Sequence, residues 1–235
     1  MLVLAFDTAT DVVSVAIGRD GQPLGMLQLE SGREHAERLV PAIASLVADT
    51  GVALDQLAAV AVGVGPGRFT GLRVGVTTAK VMAQALRVPV VGIGTLDLVA
   101  YPLRHTRRDV VAVVDARRRE VFWARYRTVP GGLERVGAEA VDPPHELIAE
   151  IEATGVDVLV AGDGADRYRA ELAAVDRVAL AGPEFSAPSA LALLELAQGR
   201  LEREEFTSPQ ALAPVYLRDS DAAINWERAQ LRSPA

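Results

Sequence analysis

Cysteine is absent from this 235-residue chain, which excludes disulfides, thiolate metal sites and a cysteine nucleophile. Histidine occurs only at His35, His105 and His145. No two of them stand four residues apart, so the paired-histidine helix of a metalloprotease is excluded. A Gly-x-Ser-x-Gly nucleophile elbow is missing as well. Positive charge is in deficit: 24 Lys and Arg face 31 Asp and Glu, for a net charge of −7. Phosphate neutralisation dominates nucleic-acid affinity, so autonomous binding of nucleic acid is disfavoured. No apolar run reaches the roughly 20 residues that span a bilayer. The opening run Met1–Phe6 has no basic leader and meets Asp7 at once, too short for a signal-peptide core. The expectation is a cytoplasmic protein with no membrane contact.

Hydrophobic residues make up 50% of the chain, enough for a sizeable core. The first half reads as three strands (2–6, 12–17 and 24–29), with a hairpin signal at Arg19-Asp20-Gly21. A helix follows from about Glu34 to Asp49, with Ala36, Leu39, Val40, Ile43, Leu46 and Val47 on one face. Pro41 within it predicts a kink, and Gly51 a stop. A strand (58–64), a helix (69–86), a strand (88–93) and a closing helix (95–103) complete the half. The second half repeats that order about 108 residues later: strands at 110–114, 121–126 and 133–141, a helix at 143–153, a strand at 156–161, a short helix at 165–173, a strand at 177–180 and a closing helix at 189–199. Three meandering strands joined to a βαβ unit, written twice, describe a duplicated ribonuclease-H-like fold of the actin-like (ASKHA) kind. It would have two lobes, residues 1–104 and 105–205, followed by a tail, 206–235. Such a fold places an aspartate at the end of each first strand, here Asp7 and Asp115.

Asp7-Thr8-Ala9-Thr10 sits where these folds grip phosphate. It offers a carboxylate and two hydroxyls but no glycine through which backbone N–H groups can approach phosphate, and a capped strand end is the plainer reading. The densest glycine cluster is Gly63-Val64-Gly65-Pro66-Gly67-Arg68-Phe69-Thr70-Gly71-Leu72-Arg73. It lacks the Gly-Lys-Ser/Thr triplet of a P-loop. Arg68 stands where a Rossmann fingerprint needs its third glycine, and no acid follows until Asp97. The helix beyond carries two stripes, one apolar (Leu72, Val76, Ala79, Ala83, Leu86) and one of small residues (Gly71, Gly75, Thr78), as for a helix packed on its own sheet and against a second body. Arg104, Arg107 and Arg108, then Arg117, Arg118 and Arg119, flank the first strand of the second half. They are read as a solvated basic face, with a local phosphate contact as the sharper alternative. Gly162-Asp163-Gly164 is either a tight turn or the counterpart of an adenosine-contacting glycine pair.

The strings at 4–10, 35–43, 63–80, 115–124 and 214–218, above all the unbroken Gly-Pro-Gly-x-Phe-Thr-Gly-Leu-Arg at 65–73, resemble the TsaB (YeaZ) family over most of the chain. The resemblance implies a noncatalytic subunit that binds and activates a TsaD-like paralogue, with a TsaE-like ATPase, in making threonylcarbamoyladenosine in tRNA. The chain would meet tRNA only through that complex, carry no cofactor or metal, and possess no catalytic residue. Where the catalytic paralogue places two metal-binding histidines, this chain has Gly94-Thr95-Leu96-Asp97-Leu98-Val99-Ala100, without an imidazole. The resemblance also implies that the helices at 34–49 and 69–86 pack on their counterparts in the paralogue. The expected interface is His35, Leu39, Ile43, Leu46, Phe69, Gly71, Leu72, Gly75, Thr78 and Met82, a surface that would support a homodimer when the partner is missing. Asp7, Thr8, Thr10, Asp115 and Arg117 would line a vestigial nucleotide cleft. The alternative is a nucleotide-dependent small-molecule kinase or ATPase of the same superfamily, using Asp7 and Asp115. A glycopeptidase would need a metal or nucleophile that no motif supplies.

Overall fold

The computed structural model describes residues 1–32 and 34–218. The rest of the expected 206–235 tail lies outside the described residues. The first sheet comprises β1 (Leu2–Asp7), β2 (Val12–Arg19), β3 (Gln22–Glu30), β4 (Ala59–Gly65) and β5 (Val90–Gly94), in the order β3-β2-β1-β4-β5. The second comprises β6 (Asp109–Arg117), β7 (Glu120–Val129), β8 (Gly132–Asp142), β9 (Val158–Ala161) and β10 (Val178–Leu180), in the order β10-β9-β6-β7-β8. Read from its opposite edge, that is the order of the first sheet. In each, the first strand pairs antiparallel with the second and parallel with the fourth. The duplication inferred from element order is therefore present in the strand pairing.

Helices α1 (His35–Thr50) and α2 (Phe69–Leu86) cover one face of the first sheet. Gly51, left-handed at φ 64°, ends α1 as expected, since glycine takes that conformation without a Cβ penalty. α1 runs through Pro41, which lies on its exposed side. The buried positions of α1 are His35, Leu39, Ala42, Ile43 and Leu46, whereas Val40 is 59% exposed. The inward face is thus rotated from the expected one, and Ala36 and Val40 point to solvent.

The closing helices are exchanged between lobes. α3 (Thr95–Ala100) comes from the first half, yet Leu96, Val99 and Ala100 pack with Val110, Ala112 and Val114 of β6, while Leu98 stays with Val91 and Ile93 of β5. α7 (Ala190–Glu202) comes from the second half, yet Leu193, Leu194 and Ala197 pack on Val3, Ala5 and Ala16 of the first sheet. Ser189 caps α7 by accepting from Ala192 N–H, and Ser14 of β2 accepts from Ala190 N–H at 3.1 Å. The first sheet is therefore buried on both faces, which explains why β1 and β4 read as unbroken apolar runs rather than alternating ones. α4 (Pro144–Thr154), α5 (Asp163–Arg167) and α6 (Arg169–Ala173) cover the outer face of the second sheet. The single helix expected at 165–173 is broken at Tyr168.

The segment after α7 returns to lobe one. Thr207 pairs with Val90, Lys80 donates to Leu212 O at 3.0 Å, and Val215 N–H donates to Val64 O at 2.7 Å. Leu212 is buried in the α1–α2 core, which stabilises the attachment by about 2 kcal/mol. The strap then reaches lobe two, where Arg218 pairs with Glu120 and donates to Ala116 O.

Candidate functional site

The Asp7–Thr10 turn is sealed. Asp7, Thr8, Ala9 and Thr10 are at most 2% exposed. What seals them is the glycine-rich segment, whose glycines at 63, 67, 71 and 75 recur every four residues. A Cβ at Gly63 would overlap the Asp7 carboxylate, one at Gly67 would lie 2.5 Å from Ala9 O, and those at Gly71 and Gly75 would overlap Thr8 O and Thr8 Oγ1. The Thr8 hydroxyl donates to Gly71 O at 2.7 Å. The glycines thus bring strand β4 and helix α2 onto the turn itself, where a bound phosphate would need open backbone. The small-residue stripe of α2 was expected to receive a second body; in this structure Gly71 and Gly75 receive Thr8.

Asp7 Oδ1 accepts from Ala9 N–H at 2.8 Å, while Oδ2 is buried with no partner. Burial pushes the carboxyl up to about 7, opposed only by the Ala9 N–H bond. His35 is equally internal. Its Nε2 lies 2.6 Å from Thr10 O, and since a carbonyl only accepts, Nε2 carries the proton.

Between the lobes lies a cleft of about 1140 Å³. Lobe one contributes Asp11, His35 and Gly67–Gly71, lobe two Asp115–Arg118 and Phe122, and the strap Val215–Arg218. A chain of ion pairs crosses its mouth. Asp11 is shared by Arg68 and Arg117, and Asp115 by Arg117 and Arg167. The Asp115 backbone N–H donates to Asp163 Oδ1 at 2.9 Å; burial raises the Asp163 carboxyl to about 6 against that bond. Gly162 and Gly164, at the start of α5, press on the backbone and side chain of Val113. On the strap side Tyr216 packs tilted on Phe69, ring centroids 5.3 Å apart, and the Arg73 guanidinium lies 3.9 Å from the Phe69 ring centre.

Of the residues expected to line a nucleotide cleft, the structure brings Asp115 and Arg117 to it and buries Asp7, Thr8 and Thr10 behind the glycines. Of the expected interface residues, His35, Leu39, Ile43, Leu46, Gly71, Leu72 and Gly75 are internal to the lobe. Thr78 and Met82 are half-buried and Phe69 is 37% exposed against Tyr216. The unpartnered apolar side chains of these helices are others, chiefly Val40 and Val81, 59% and 61% exposed. The sequence also left Asp11, Tyr216 and Arg218 without a site role, since nothing in their neighbours announces a contact made across more than 50 residues. Among the described residues no group of three or more His, Asp or Glu is placed to hold a metal ion, and no helix is long and apolar enough to cross a membrane.

Two sheets of one topology, with a cleft between the lobes and an aspartate at or near the end of each first strand, define a two-lobed protein of the actin-like class. The solved activator of 2-hydroxyisocaproyl-CoA dehydratase from Clostridium difficile shares the fold at a TM-score of 0.51 and 10% identity, over 92% of this chain and 99% of that one. Nearer likenesses are specific. YeaZ from Pseudomonas aeruginosa matches at a TM-score of 0.76 and 32% identity, again over 92% and 99% of the two chains. The tRNA threonylcarbamoyladenosine biosynthesis protein TsaB of Escherichia coli is 31% identical, over 97% of this chain and 98% of that protein. An uncharacterized protein of Mycobacterium tuberculosis is 37% identical over 94% and 93% of the two chains; a 36% identical Mycobacterium leprae relative is longer, and this chain spans 56% of it. Residues 22–226 match the family described as TsaD, tRNA N6-adenosine threonylcarbamoyltransferase. The chain belongs to the TsaB (YeaZ) family.

Proposed function

We propose that this protein acts in tRNA threonylcarbamoyladenosine biosynthesis as a noncatalytic subunit that binds and activates a TsaD-like paralogue in the cytoplasm. The observation that carries the noncatalytic part is the sealed Asp7–Thr10 turn, in which four glycines hold the backbone that a phosphate would need. This also weighs against the kinase or ATPase reading, which requires Asp7 in the cleft. A TsaE-like ATPase would join the same assembly. The partner surface is the outer side of α1 and α2. Val40 and Val81 supply its exposed apolar side chains, with Thr78 and Met82 next to Val81 on α2, Phe69 at the start of that helix, and Leu39, Ile43, Leu46, Leu72, Gly71 and Gly75 buried beneath. A homodimer through the same face is expected when the paralogue is missing, since exposed apolar helix faces seek cover.

The test is co-purification with the TsaD-like paralogue of the same organism. Val40→Glu and Val81→Glu change exposed positions, so each variant should keep its melting temperature while complex formation falls at least about tenfold, the effect of desolvating a charge in an apolar interface. Stoichiometric complexes from both variants would remove this surface from consideration. Micromolar ATP binding by the isolated chain, lost in Asp7→Asn, would favour the kinase reading instead.

A further inference from the structure

The turn joining β6 to β7 consists of arginines in a conformation that disfavours them. Arg117, Arg118 and Arg119 have φ of 63°, 55° and 64°. Arg117 pairs with Glu120, so Arg118-Arg119 is a two-residue hairpin loop with both φ positive. Asn-Gly or Asp-Gly is the usual occupant of such a loop, and each side chain with a Cβ is strained there. The same chain supplies its own comparison. The β2–β3 loop of lobe one is also a two-residue hairpin, in which Arg19 pairs with Gln22 across Asp20-Gly21, at φ 51° and 76°. Backbone geometry therefore does not account for two arginines at the β6–β7 loop; their side chains must.

Those side chains face an open groove of about 850 Å³ on lobe two, whose lining also includes Arg167, His145, Tyr168 and Glu171. Arg118, Arg119, Arg167 and His145 are exposed; Arg118 keeps a partner within the chain and Arg167 pairs with Asp115, while the Arg119 side chain makes no hydrogen bond or ion pair among the described residues. Of the two lining carboxylates, Glu120 is held by Arg218. A chain of net charge −7 thus gathers guanidinium groups along one groove, beside a tyrosine and a histidine. Guanidinium forks match phosphate oxygens, and flat rings accept nucleobases.

We propose that the arginine hairpin and its groove hold the phosphodiester backbone of an RNA strand. Under the proposed function, on which this rests, that strand belongs to the tRNA being modified, and this subunit touches it directly rather than only through its partner.

The experiment is fluorescence anisotropy of a tRNA transcript titrated with the full-length chain over a series of salt concentrations. Because the whole chain is acidic, binding is expected only at low salt, with affinity falling linearly on logarithmic axes. The informative variant is Arg118→Asn/Arg119→Gly, which installs the favoured loop. It should raise the melting temperature by about 3 °C, as relief of backbone strain does in a chain this size, while weakening RNA binding by about tenfold and flattening the salt slope by about 1.5, the loss of two phosphate contacts. A variant that gains stability and loses RNA cannot be explained by misfolding. Arg107→Asn/Arg108→Asn, next to the opposite end of β6, should leave binding unchanged. The proposal is overturned by undetectable wild-type binding at low salt, by equal RNA affinity in the Asn-Gly variant, by an equal loss in the 107/108 variant, or by equal binding of polyglutamate, which would assign the groove to an acidic protein segment. Failure here with intact co-purification removes only the RNA contact. Failure of co-purification leaves this measurement standing.

Discussion

Replacing Asp7 by Asn should change how stability depends on pH, and the size of the change follows from burial. Asp7 is fully buried with Oδ2 unpartnered, and its carboxyl is raised from 3.8 to about 7. The folded state therefore holds this proton more tightly than the unfolded state. Between the two values the unfolded chain has released the proton and the folded one has not, so stability falls as pH rises and levels off above about 8. From pH 5 to pH 9 the span up to the folded-state value covers two pH units, which at about 1.4 kcal/mol each is a loss of about 3 kcal/mol. Asn has no charge to desolvate and should not show that loss. Its amide would sit where Asp7 Oδ2 has no hydrogen-bond partner, a cost of about 1–3 kcal/mol that is independent of pH. The difference between the two proteins' pH profiles isolates the ionisation, because Asp163 and every other titrating group is common to both. Urea unfolding at pH 5, 7 and 9 should show the variant gaining about 3 kcal/mol on the parent across that range, or about 9 °C in melting temperature. Parallel profiles would mean that Asp7 is ionised at neutral pH with a partner, and the sealed-turn account would fail.

Gly71→Ala and Gly75→Ala should each destabilise the fold by about 3 kcal/mol in urea unfolding, although alanine is the better helix former by about 1 kcal/mol, because the new methyl overlaps Thr8. A stabilising result would show that the turn moves aside at no cost. Tyr216→Ala removes the stack on Phe69, worth about 1 kcal/mol, and should speed amide exchange along 207–218 at least fivefold while leaving β1 and β4 protected. The charge substitutions at Val40 and Val81 should weaken partner binding at least about tenfold at constant stability, and the Asn-Gly hairpin should separate RNA affinity from stability in opposite directions.

Element order was legible because each element is marked locally. Gly51 stops α1, Asp20-Gly21 makes the first hairpin, Ser189 caps α7, and the bounds of α2 fall where the apolar period begins and ends. What covers each element was not legible. The period of α1 marks an apolar stripe, but Ala36 and Val40 belong to it and lie outside, while His35 and Ala42 lie inside. Amphipathicity cannot distinguish a sheet from a partner protein. The spacing of the glycine cluster fits neither a P-loop nor a Rossmann fingerprint, but it does not disclose the contact with the Asp7–Thr10 turn. The four-residue interval of 63, 67, 71 and 75 was the available signal, because it repeats through strand, turn and helix and so cannot be a feature of any one of them. The strap depends on contacts such as Val64–Val215 and Arg73–Tyr216, whose partners share no pattern in sequence.

The exchange of closing helices has a consequence for the protein's history and for its handling. A duplicated chain whose halves each kept their own last helix would consist of two beads on a string, each able to melt, evolve or be lost alone. Here α3 reaches lobe two and α7 returns to lobe one, so each half carries the roof of the other. Neither repeat is a smaller version of the molecule. Cut between them, the chain yields two sheets that each keep helices on one face and lose cover from the other, so the apolar faces laid bare can be buried again only by bringing the two halves together.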